Sequence, residues 1–160
     1  MAIIKLNNQS ISSVTALPAG VGGKVLQVVS ANDSTVRGTS STSFVTASNT
    51  LSASITPSSS SNKILVLVNT NLRGNVGANN MFSTVYRGAT NLASSGQFCS
   101  DYGGYGSYLS TSYLDSPSTT SSTTYQVYIR VSGTGTCYMN SPDGGGTAVT
   151  GTITLMEITG

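Results

Sequence analysis

Apolar residues in this chain come in short runs separated by Gly, Pro, Asn, Asp and Ser. That is the pattern of strands joined by turns. The clearest run is 124–131. It places Tyr125, Val127, Ile129 and Val131 on one face and Gln126, Tyr128 and Arg130 on the other. Ser132, Gly133, Thr134 and Gly135 follow, and predict a turn back into Cys137, Tyr138 and Met139 as a hairpin. Further strands are expected at 25–29, 63–68, 81–87, 107–114 and 149–158, with 43–47 and 51–56 forming a pair. Asp115, Ser116, Pro117 and Ser118 mark a turn. No segment shows the spacing of an amphipathic helix. The prediction is an all-β chain, folded as an antiparallel jelly-roll sandwich.

Two runs do not alternate. After Lys63, the run Ile64, Leu65, Val66, Leu67, Val68 is apolar throughout, and the final strand supplies Ile153, Leu155, Met156 and Ile158. A strand apolar on both faces is covered on both faces, whereas a single sandwich covers only one. Leu65, Leu67, Ile153, Leu155 and Ile158 are therefore expected at an interface between copies, with three jelly rolls packed around an axis. Residues 1–22 read differently. Ile3, Ile4, Leu6, Ile11, Val14 and Leu17 follow neither strand nor helix period, and Pro18, Gly20, Gly22 and Gly23 close the segment. This stretch is expected to be an arm that anchors the 23–160 domain to a partner.

Composition narrows the classes. Charged residues make up 8% of the chain, against roughly 25% in an average globular domain, and Ser and Thr supply the polar surface instead. Such a surface suits a protein working in salty media, where charge is screened. The seven basic residues are isolated from one another, so a phosphate-tracking patch and a nucleic-acid partner are not expected. No run is long enough to span a membrane. The first residues lack a signal peptide, so synthesis in a cytoplasm is expected. Cys99 and Cys137 read as two small buried thiols, with a single bridge between them left open.

Catalytic chemistry is sparse. There is no His to act as base, and the carboxylates are Asp33, Asp101, Asp115, Asp143 and Glu157. Asp33, Asp115 and Asp143 sit in turn contexts that favour local hydrogen bonding. No enzyme activity, metal or cofactor is expected. The segment 98–108 is rich in Tyr, Gly and Ser, a composition that suits adaptable recognition. Tyr102, Tyr105 and Tyr108, with Tyr113 beyond, are the candidate ligand-binding residues; the competing reading is that these rings fill the domain or a subunit contact.

Several stretches carry a resemblance. They are Gly23-Lys24-Val25-Leu26-Gln27-Val28-Val29, Thr56-Pro57-Ser58-Ser59-Ser60-Ser61-Asn62-Lys63-Ile64-Leu65-Val66, the run from Tyr113 to Tyr125, and Ile153-Thr154-Leu155-Met156-Glu157-Ile158. Over 23–160 the chain resembles small virion structural proteins and tail-fibre C-terminal domains of marine tailed bacteriophages. The resemblance implies a trimeric, tumour-necrosis-factor-like jelly roll on the virion surface, docked to other virion proteins and facing a host glycan or protein. It does not separate a fibre tip from a capsid decoration protein that stabilises the head. A soluble glycan-binding jelly roll is the alternative outside the virion. The chain lacks the extended stalk of long fibres, which favours a compact subunit held by residues 1–22.

Overall fold

The computed structural model describes residues 24–75, 80–102, 106–141 and 147–160. Two antiparallel sheets face each other around one core. The strands are β1 (Val25–Asp33), β2 (Arg37–Thr39), β3 (Ser52–Ile55), β4 (Lys63–Gly74), β5 (Asn80–Arg87), β6 (Thr90–Asn91), β7 (Cys99–Tyr102), β8 (Ser107–Asp115), β9 (Thr123–Val131), β10 (Cys137–Met139) and β11 (Gly151–Ile158). The first sheet runs β1-β11-β4-β10-β2, with β8 on the other side of β4. The second runs β3-β9-β5-β6, with β7 also on β5. There is no helix among the described residues.

Alternation decides which side chains fill the core. In β9, Tyr125, Val127, Ile129 and Val131 are buried while the residues between them are partly exposed. In β4, Ile64, Val66 and Val68 point inward, and Leu65 and Leu67 occupy the opposite face. Leu51, Leu72, Met81, Met139, Ile153 and Leu155 complete the packing. The interior is filled. A void of about 10 Å³ beside Val68, Ser83, Leu109 and Val127 has room for little more than one water.

Polar groups tie the connections together. Asn140 has φ 60°, a left-handed conformation that Asn tolerates better than most residues. Its Nδ2 donates to the carbonyls of Asp33 (2.8 Å) and Thr35 (3.1 Å), and its Oδ1 accepts from Thr70 Oγ1 at 2.7 Å. Gly151 makes room for this knot. A Cβ there would lie 2.6 Å from Asn140 Oδ1 and 3.0 Å from Thr70 Oγ1. On the back of the second sheet, the Arg130 guanidinium lies over the rings of Phe82 (4.0 Å) and Phe44 (5.0 Å). These cation–π contacts hold the segment around Phe44 onto the sheet.

Two pairings differ from the sequence expectation. Residues 137–139 do not form a hairpin with β9. They cross to the first sheet and pair with β4 and β2. The 132–136 connection thus spans the two layers instead of reversing along one. Likewise 43–47 and β3 do not pair with each other. Val45 bridges Ile129, and β3 pairs with Thr123–Gln126, so both lie end to end along the same edge of β9.

Candidate functional site

Burial within a single chain separates the expected interface residues into two groups. Ile153 and Leu155 are 0% exposed and belong to the core. Their expected place between copies is corrected: the odd positions of β11 face the opposing sheet. Leu65, Leu67 and Ile158 lie on the other face, only partly covered. Cross-strand register shows what that face contains. Val28 pairs with Met156, Met156 with Leu65, and Leu65 with Leu114. Directly paired residues share a face, so these four side chains form one apolar row across four strands. Val28 is 56% exposed and Leu114 48%. Leu26, displaced by a register shift between Val25 and Gln27, is also exposed.

The face changes character along the strands. The row above holds Ser30, Thr154, Leu67 and Ser112, with the Ser30 and Thr154 hydroxyls 3.2 Å apart. The next holds Asn32, Thr152, Asn69 and Ser110. None of the residues in these three rows is charged. Beyond them Asn71 pairs with Tyr108, roughly 20 Å from the apolar row at about 3.4 Å per residue.

The candidate tyrosines also separate. Tyr108 stands on this outer face, 87% exposed. Tyr113 lies apart from it, on the inward side of β8, half-buried against the core, its ring 5.3 Å from that of Phe98. The side chain of Tyr102 and all of Tyr105 lie outside the described residues, as do Ile3, Ile4, Leu6, Ile11, Val14 and Leu17 of the arm. Cys137 is buried in the core, and the side chain of Cys99 lies outside the described residues.

Three carboxylates are buried and serve as acceptors. Asp33 accepts from the backbone N–H groups of Thr35 and Thr50, each at 2.9 Å, and from Arg37 Nε at 3.0 Å. Burial raises its pKa, and these donors more than reverse that, leaving it below the usual carboxylate value. Asp115 takes Arg87 Nη1 on both oxygens, at 3.1 and 2.9 Å, and the Tyr125 hydroxyl at 2.7 Å. Its expected role in a local turn is replaced by this tie between β5, β8 and β9. Burial, and then the Asp115 carboxylate, push the Tyr125 hydroxyl well above its ordinary pKa.

Glu157 is the third. It is fully buried at the end of the core face of β11. Gln27 donates to Oε2 (2.6 Å), while Asn62 (2.6 Å) and the Ser58 N–H (2.6 Å) and hydroxyl (2.8 Å) donate to Oε1. Burial acts to raise its pKa, but the hydrogen bonds from Asn62, Gln27 and Ser58 hold it at about 2, well below the usual range of a glutamate. A carboxyl depressed in this way stabilises the fold above its unfolded pKa. That stabilisation disappears as pH falls through its folded pKa. A displacement of this size is worth about 3 kcal/mol. Urea midpoints should therefore fall between pH 4.5 and 2 in the native chain, and Glu157→Gln should flatten that limb while lowering stability at neutral pH. An unchanged acid limb in Glu157→Gln would place the effect on other carboxyls.

These acids are structural anchors, and among the described residues no three His, Cys, Asp or Glu side chains come together to hold a metal. The open features among the described residues include the apolar row, the polar end of the same face, and a cleft of about 450 Å³ lined by Arg87, Pro117, Thr119, Ser122 and Thr124. No protein-family model matches the chain, and no curated protein matches it.

Proposed function

We propose that this chain is a structural protein of a bacteriophage virion, a homotrimeric surface appendage of the tail-fibre or fibre-tip type. Residues 1–22 hold it to other virion proteins, and its outer loops turn toward the host surface. The observation that carries the reading is the uncharged apolar row of Val28, Met156, Leu65 and Leu114 on the outer face of the first sheet. Contiguous exposed apolar patches on soluble domains mark contacts, and a row without charge repels no second copy of itself. The strand order supports the jelly-roll form, with β1-β11-β4-β8 on one side and β3-β9-β5-β7 on the other. Closed symmetry is the ordinary outcome for identical subunits. The virion setting comes from the resemblance over 23–160, and the hydroxyl-rich, weakly charged surface suits it.

Deleting residues 1–20 tests the anchor. The shortened chain should fold and assemble with unchanged melting and particle mass, yet be missing from purified virions. Incorporation at normal levels would defeat the arm as anchor. Label placed on the intact particle should appear on tail appendages; label on heads would replace the appendage with a decoration protein.

A further inference from the structure

The polar end of the β1-β11-β4-β8 face opens into a shallow groove of about 170 Å³ lined by Asn69, Thr70, Tyr108, Ser110, Val149 and Thr150. Its chemistry is specific. One wall is an aromatic ring left 87% exposed. The remainder offers an amide, hydroxyls and the apolar side chains of Leu109 and Val149, and among the described residues none that line it is charged. Directly across the strand pair from Tyr108 lies Asn71, which is 4% exposed. Its Nδ2 donates to the Ser141 carbonyl, but its Oδ1 has no hydrogen-bond partner among the described residues. A buried acceptor without a donor is costly, but Asn71 lies beneath the groove and outside its lining, so the groove's own chemistry decides what fits it.

We infer that this groove binds a neutral saccharide ring. Tyr108 lies under the face of the ring that carries its C–H bonds, and Asn69, Ser110 and Thr150 take its hydroxyls. The alternatives fit less well. A nucleotide would stack equally on Tyr108, but its phosphates need Lys or Arg, and among the described residues neither lines the groove. An acidic sugar lacks a counter-charge for the same reason. A purely apolar ligand would leave the Asn69 amide and the two hydroxyls unpaired. The volume is below the roughly 300–1,000 Å³ of pockets that enclose drug-sized molecules, so one ring is held per copy. Weak single-site binding is then strengthened by the copies acting together. This inference rests on the surface-appendage reading for the source of the saccharide, a host-surface glycan, but the binding itself does not depend on it.

The test uses the full chain on an array of glycans ending in neutral hexoses or N-acetylhexosamines, printed beside sialylated and sulfated ones. Retention on neutral glycans is expected. Tyr108→Ala should weaken it by roughly tenfold or more without changing melting or particle mass, because the ring is almost wholly outside the fold. Asn69→Ala should weaken it as well. The inference is overturned if no glycan is retained, if only acidic glycans are retained, or if Tyr108→Ala binds like the native chain. It is also overturned if Tyr108→Ala alters particle mass, since the ring would then belong to a contact between copies. Glycan binding by a protein absent from virions would sink the appendage reading alone. A virion-borne protein that retains no glycan would sink this inference alone.

Discussion

Leu155→Asp abolishes folding: the variant should show no cooperative unfolding transition and no native sheet signal by circular dichroism. Leu155 is 0% exposed and packs within the cluster formed by both sheets. Truncating such a side chain to Ala already costs about 2.7–5 kcal/mol, from lost transfer energy and the cavity left behind. Aspartate adds a charge with nothing to pair it. Glu157, two positions along the same face, shows what a carboxylate there requires: donors from Gln27, Ser58 and Asn62. Against a total stability of about 5–15 kcal/mol, the combined loss leaves no folded population. A Leu155→Asp variant that melts cooperatively as a monomer would mean that the odd positions of β11 are not in the core.

The pattern of short alternating runs carried most of the architecture. β9 was legible because its two parities differ in kind, Tyr125, Val127, Ile129 and Val131 against Gln126, Tyr128 and Arg130. β11 was not legible in the same way. One parity reads Gly151, Ile153, Leu155, Glu157 and the other Thr152, Thr154, Met156, Ile158. Each mixes apolar and polar residues, so counting hydrophobes cannot say which face looks inward. Glu157 makes the inner parity look solvent-exposed, because the donors that allow its burial lie up to 130 positions away in the chain. Pairing was hidden for a related reason. A turn-rich 132–136 connection is compatible with a hairpin or with a crossing between layers, and only the register of β10 against β4 and β2 distinguishes them. Tyr108 was singled out with its neighbours by composition. Parity along β8 then placed Tyr113 inward and Tyr108 outward, and the groove between Tyr108 and Val149 joins positions 41 apart, beyond the reach of local pattern.

Leu65→Asp should leave the domain folded and take the assembly apart. Leu65 lies on the outer face of β4, flanked by Met156 on one side and Leu114 on the other. In an isolated copy Leu65 is partly exposed on the outer face, so an aspartate there can reach water, and its cost to folding should stay near the roughly 1 kcal/mol of a typical single substitution. In the proposed trimer, the same substitution would bring one carboxylate per subunit into a dry apolar contact, with no base in the row to pair it. Removing each from water costs several kcal/mol, and every 1.4 kcal/mol lost is a tenfold weaker complex. Sedimentation should therefore give folded particles of 16.3 kDa at concentrations where the native chain is assembled, a weakening of at least a hundredfold. Leu65→Ala should fall between the two. The contrast with Leu155→Asp is the decisive part. One variant should unfold and the other only dissociate, although both introduce an aspartate at leucines of neighbouring strands. If Leu65→Asp keeps the native particle mass, the row of Val28, Met156, Leu65 and Leu114 is not where copies meet.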